Sequence, residues 1–323
     1  IVMPKHKSQY KTDSGFLSGN FIKVVLAIIA ISSFGLAFYY DQVSTTLVKL
    51  YPIGDKKCLE QFYKNVPPYL NKESLQRDTY PLCFNGFNLM YSGVSKTPLW
   101  VAERLTVQRL SQNVPREVNF HEEERIPLDY RSKLSDYRGS GYIRWRLAPN
   151  ADMPNKTAQF DSFSLANIAP VANLEVLTKI EYLIRGIAIK KNQDVYVVTG
   201  PVFATKKLKT IGRGVIVPTA TYKAIYMPKT GVAGVYYAEN TLKNTVPKVQ
   251  VISVCALEDL TGINIFPQLE EDQKRNTYSL PLSPNDLASD KEIEYSYWDA
   301  ESQCATDISE KDISMLQKKF SFE

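Results

Sequence analysis

Hydrophobic positions in the second half of the chain follow two different periods, and the change of period marks the elements. The runs VYVVTG (195–200), VIVPTATYKAIY (215–226), GVYYAEN (234–240) and KVQVISVCAL (248–257) are rich in β-branched and aromatic residues and bounded by Gly, Pro and Asn, which reads as strands. Between Val171 and Ile189 the residues Leu174, Leu177, Ile180, Leu183 and Ile184 recur at helical intervals. A second amphipathic helix is expected in DISEKDISMLQKKFSF, opened by Ile308 or Ser309 and carrying Ile313, Leu316 and Phe320 on one face. Many strands with few helices predict an α+β fold around a central, largely antiparallel sheet. No internal repeat, Gly-rich phosphate loop or zinc-ligand spacing is present. Cys255 falls in the last predicted strand, where a buried free thiol is one reading and pairing with Cys304 is the other.

One segment departs from both periods. Val24 to Tyr40 reads VVLAIIAISSFGLAFYY, has no charged residue, and is just long enough to cross a bilayer as one transmembrane helix. No small-residue cleavage site follows in FYYDQ, so a retained anchor is expected rather than a signal peptide. Lys5, Lys7, Lys11 and Lys23 precede it against the single acid Asp13, which places residues 1–23 in the cytoplasm or matrix. The body then lies across an inner membrane, in a periplasm or in a mitochondrial intermembrane space. An opening Ile-Val-Met fits either a fragment or a removed presequence, and the latter suits mitochondrial import.

Charge refines this division into an N-terminal segment (1–23), an anchor (24–40), a body (41–269) and an extension (270–323). The body carries 29 basic and 20 acidic residues, whereas the extension carries 6 and 13. A basic body suits phosphate backbones. The acidic extension is expected to lie over the body's basic cleft, on a partner, or around the surface. Its apolar groups Tyr295, Tyr297, Trp298, Leu316 and Phe320 are costly to leave in water, so stable membership of a membrane protein complex is expected.

Candidate chemistry concentrates in YRGSGYIRWRLAPNADM (137–153) and FSLANIAP (163–170). Upstream stand Cys58, PLCFNGFNLMYSGVSKTPLWVAERLT (81–106) and FHEEERIP (120–127); downstream stand VYVVTGPVF (195–203), VIVPTATYKAIY and ALEDLTGINIFPQL (256–269). In this order they resemble the DNA/RNA non-specific endonuclease family, in its endonuclease G-like, bacterial periplasmic form, over roughly residues 55–269. The resemblance implies a ββα-metal nuclease-like fold and Mg²⁺-dependent phosphodiester cleavage. It implies that Asn173 ligates the metal and that Glu181, eight residues on, supports the metal's waters. Arg144 and Asn167 match positions implied to bind phosphate, and Cys58 and Cys83 match a pair implied to form a disulfide.

The signature itself departs from the family. Where the family has Asp-Arg-Gly-His, this chain has Ile143-Arg144-Trp145-Arg146. The family's His is the general base, a role that needs a pKa near working pH. Arg146 stays protonated and cannot take that proton. It is also expected to repel Mg²⁺, and Trp145 is expected to pack in the core or to fill the cleft. The chain's other candidates, His6 and His121, do not read as a relocated base. The leading expectation is a catalytically inactive, membrane-anchored scaffold or accessory subunit. Its alternatives are a metal-dependent nuclease with a carboxylate replacing the His, and a module that binds nucleic acid without cutting.

Overall fold

The structure is a computed structural model that describes residues 58–116, 118–241, 249–277, 280–281, 293–295 and 301–320. The expected anchor at 24–40, its flanks, Tyr297 and Trp298 lie outside the described residues, as does the side chain of Tyr295. Among the described residues no helix is long and apolar enough to cross a membrane.

Ten strands carry the fold: β1 (Thr79–Cys83), β2 (Asn88–Ser92), β3 (Thr97–Leu105), β4 (Ile143–Arg146), β5 (Ile168–Val171), β6 (Val195–Val202), β7 (Ala220–Met227), β8 (Val232–Glu239), β9 (Val249–Ile252) and β10 (Ile293–Tyr295). Eight of them form one sheet in the order β10-β9-β8-β7-β6-β3-β2-β1, antiparallel throughout except for the β9–β10 pair. Strands β4 and β5 form a separate antiparallel ladder. The principal helices are α1 (Lys156–Ser162), α2 (Glu175–Lys190), α3 (Val254–Thr261), α4 (Glu271–Arg275) and α5 (Glu310–Phe320). This is the expected α+β class with a largely antiparallel central sheet.

Because strand side chains alternate between faces, the sheet divides the core in two. One face buries Val101, Leu105, Val197, Ile225 and Met227 against Leu177, Ile180, Leu183, Ile184 and Ile187 of α2. The other buries Trp100, Tyr222, Ala224, Val235 and Ile252 against Leu257 of α3 and against Leu316 and Phe320 of α5. Gly200 pairs across to Tyr222. A Cβ there would lie 2.4 Å from the Tyr222 hydroxyl oxygen, so only glycine lets that ring lie flat against its neighbouring strand.

Two expected boundaries move, for local reasons. Helix α2 begins at Glu175 rather than Val171, because Ile168–Val171 is taken up in pairing with β4. The run KVQVISVCAL is a strand only as far as Ile252. Ser253 then caps α3 by accepting a hydrogen bond from the Ala256 backbone N–H (3.0 Å), and Gly262 ends the helix in the left-handed region at φ 72°. Cys255 is therefore helical, and it is bonded to Cys304 rather than free. The implied Cys58–Cys83 disulfide is also formed.

The acidic extension folds back on the body. Phe320 is fully buried, with its ring centroid 5.3 Å from Phe62 and 5.6 Å from Trp100. Ser309 opens α5 as its cap, accepting from the Asp312 N–H at 3.1 Å. The segment before it is held by the disulfide and by Glu258, which accepts the Ala305 N–H (2.9 Å) while paired with Lys274 at 3.0 Å. All of this lies on the face opposite α2, so residues 301–320 do not cover the basic cleft.

Candidate active site

The β4–β5 ladder sets the site. Arg146 stands opposite Ile168, and Arg144 opposite Pro170. Alternation along β4 sends Arg144 and Arg146 to one side and Trp145 to the other. On the outer side the Arg144 guanidinium lies 4.4 Å from the Phe120 ring centroid, and that of Arg146 lies 4.4 Å from Phe163 and 5.9 Å from Phe120. Phe120 and Phe163 are themselves in contact at 5.0 Å. Arg116, Phe120, Tyr142, Arg144, Arg146 and Arg138 line a pocket of about 660 Å³, whose remaining described lining is Leu134, Tyr137, Ile143 and Leu174. No carboxylate and no imidazole is among those residues. Burial first, and the charge of Arg116 second, press the Arg146 pKa below its usual value, with Glu181 opposing.

Trp145 is buried in the core and leaves the pocket open instead of filling it. Its indole N–H donates to Glu181 Oε1 at 2.9 Å, and the Lys223 ammonium stands 5.6 Å from its ring. Beneath it runs a buried charge network. Arg109 pairs with Glu103 at 2.9 Å, Arg185 pairs with Asp152 at 3.0 Å, and Lys223 Nζ donates to the Leu147 carbonyl (3.0 Å) and the Thr199 hydroxyl (2.9 Å). Burial, reinforced by Asp152 and opposed by Arg109 and Lys223, pushes the Glu103 carboxyl up to about 8. Burial likewise raises Glu181.

The resemblance-implied residues separate. Asn167 is fully buried: its Oδ1 accepts the Ala148 N–H, and its Nδ2 donates to the Ala148 and Ser162 carbonyls, each at 2.9 Å. It clamps the chain between β4 and β5 and cannot reach a phosphate, which corrects the expected binding role. Asn173 is exposed, and its Oδ1 accepts the Glu175 N–H at 2.7 Å ahead of α2. Glu181 is tied to Trp145. His121 stacks on Phe160 at 4.1 Å and does not line the pocket. Only Arg144 and Arg146 are brought together.

A divalent cation fits this donor set poorly. Among the described residues no group of three His, Cys, Asp or Glu could hold one. The Asn173 carbonyl oxygen caps a helix, Glu181 is committed to an indole, and the neighbouring pocket is lined by arginines.

An antiparallel sheet with a long helix on one face, and a β4–β5 ladder presenting arginines to an open pocket, define an endonuclease-like domain. Residues 68–272 match the DNA/RNA non-specific endonuclease family, and the chain belongs to it. It is 38% identical over 124 residues to the mitochondrial nuclease of Saccharomyces cerevisiae, a match covering 36% of this chain and 37% of that one. It is 32% identical over 170 residues to human mitochondrial endonuclease G, covering 48% and 54% respectively. It thus spans only about a third to a half of those two relatives. The solved structure of an EndoG/EndoGI complex, described as showing the mechanism of EndoG inhibition, superposes with a TM-score of 0.53 at 25% identity over 60% of this chain and 88% of that one.

Proposed function

We propose that this protein is a non-cleaving member of the family, retained as a folded scaffold or accessory subunit at a membrane. The observation that carries the reading is the pocket beside β4: the Arg146 guanidinium stands where the family resemblance puts the general base, and among the described residues that line the pocket there is no carboxylate and no imidazole. The Trp145–Glu181 hydrogen bond supports it, since it occupies the carboxylate that the family resemblance gives to the metal's waters. Names of the relatives favour a mitochondrial setting, and the apolar stretch at 24–40 supplies the anchor.

The test is digestion of plasmid DNA and RNA by the purified full chain with Mg²⁺ or Mn²⁺. The expected result is no cleavage above buffer. Metal-dependent cutting abolished by Asn173→Ala would refute the reading and restore the activity that the relatives' names describe.

A further inference from the structure

The two disulfides differ in access. Cys58 and Cys83 are both buried, so their bond is sealed within the body. Of the second pair, Cys255 is fully buried in α3, whereas Cys304 is half-buried and lines an open pocket of about 610 Å³ with Glu270, Glu271, Arg275, Gln303 and Asp307. This pocket lies where the family match ends, at residue 272, and where the extension returns to the body. Opening a disulfide requires a thiolate to reach one of its sulfurs, and of the four cysteines Cys304 alone is not buried. The leaving sulfur is then Cys255, in the first turn of α3 behind the Ser253 cap. The partial positive charge of a helix N-terminus favours a thiolate there, against the burial that opposes it, and a better-stabilised thiolate leaves faster. The bond fixes a segment with few other ties: the Ser302 carbonyl accepts from Arg275 (3.0 Å), the Ala305 N–H donates to Glu258 (2.9 Å), and the Thr306 carbonyl accepts from Asn264 (3.3 Å). Helix α5 follows, with Phe320 packed on Phe62 and Trp100.

We propose that Cys304 is an exchange site for small thiols, which enter by this pocket and open the bond that holds the extension on the body. The thiolate attacks Cys304 Sγ and forms a mixed disulfide with it. The Cys255–Cys304 bond breaks with its electron pair on Cys255 Sγ, which takes a proton from water. A second thiolate attacks the small thiol's sulfur in the mixed disulfide and frees Cys304 as a thiolate, so the thiol is oxidised to its own disulfide and the protein bond is reduced. Glu270, Glu271 and Asp307 outnumber Arg275 around the pocket, and Lys274 is paired with Glu258. The site therefore favours a thiol without net negative charge. With the bond open, α5 keeps its packing but loses its covalent tether, and it parts more often from Phe62 and Trp100.

The experiment treats the folded full chain with cysteamine or with reduced glutathione, caps free thiols at intervals and maps the cysteines by peptide mass spectrometry. Cys255–Cys304 is expected to open about tenfold or more sooner than Cys58–Cys83. Hydrogen exchange of the α5 amides is expected to be about tenfold or more faster once it is open. Added salt is expected to speed glutathione, which is anionic, more than cysteamine. In Cys255→Ala the remaining Cys304 thiol is expected to exchange with cystamine about tenfold or more faster than Cys255 does in Cys304→Ala. Opening of both disulfides at the same rate overturns the inference, because unfolding of the whole domain then exposes them. Faster reaction at Cys255 than at Cys304 overturns it too, as do unaltered α5 exchange after opening and a salt effect equal for the two thiols.

Discussion

The two faces of the central sheet are stabilised by different means. On the α2 face, charges are buried in numbers: Glu103 and Asp152 with Arg109 and Lys223, joined by the half-buried Glu181 and Arg185. On the α5 face the core is almost wholly apolar, with one buried pair, Glu258–Lys274, and the Cys255–Cys304 disulfide as its fixed points. A buried ion network adds little net stability over an apolar core of the same shape, yet truncating one member is expensive. It thus positions groups without having to strengthen the fold. The α5 face shows the converse: aromatic packing and a covalent link hold the chain without presenting any chemistry. The site face carries an arrangement suited to orienting polar groups.

The largest expected effect tests the coupling between β4 and that network. Trp145→Gly leaves a cavity under the pocket and removes the only described side-chain hydrogen bond of Glu181, so it is expected to cost about 5 kcal/mol in denaturant unfolding. A loss under about 2 kcal/mol would mean that the indole is not structural. This bears on any attempt to rebuild the family's tetrapeptide, because restoring the Gly destabilises this core.

On the other face, Cys304→Ser opens a link spanning 49 residues and is expected to cost about 4 kcal/mol. Next in size, Phe320→Ala is expected to cost about 3 kcal/mol. Protection of the α5 amides from hydrogen exchange should fall in both variants while that of α2 is unchanged.

The smallest effect is a pH dependence to which both faces contribute. Folded-state carboxyl pKa values raised by burial mean that folding takes up protons, so the stability held at acid pH is lost as pH rises from about 4.5 toward about 8, the value reached by Glu103. Glu181 and Glu258 shift in the same direction. The midpoint of thermal unfolding is expected to fall by a few degrees between about pH 5.5 and 8.5. Glu103→Gln should flatten that slope and Phe320→Ala should leave it. A slope unaltered by Glu103→Gln would show that Arg109 keeps the carboxylate charged throughout.

Much of the fold was legible because its strands are β-branched runs with clear ends: β6 and β8 lie where VYVVTG and GVYYAEN place them, whereas VIVPTATYKAIY joins the central sheet as β7 only from Ala220, two residues after Pro218. Val-Cys-Ala-Leu was misread because its apolar residues suit a strand or a helix equally, and the deciding signals were the Ser253 cap and Gly262. In the site, Arg146 was legible as a broken motif. The network was not, since Glu103 and Lys223 are distant in sequence and meet only through β6, which pairs with both β3 and β7. Each nonetheless carried a sign, a charge set inside an apolar run (Glu103 beside Arg104 in LWVAERL, Lys223 in ATYKAIY). Arg116 and Arg138 come from irregular segments, where no periodicity could point to the pocket. Asn167 carried the motif's residue but not its implied role.

The contact between Phe62 and Phe320 has a topological consequence. With the rings 5.3 Å apart and the Asn65 carbonyl accepting from the Gln317 amide at 3.0 Å, the first and last described segments of the chain meet. Segments that meet can be joined by a short linker and the chain reopened elsewhere. The exposed turn between β7 and β8, at Lys229 and Thr230, is the natural opening. A circular permutant cut there preserves both cores while reversing which half of the sheet is synthesised first, so the order of folding can be changed without changing what is folded.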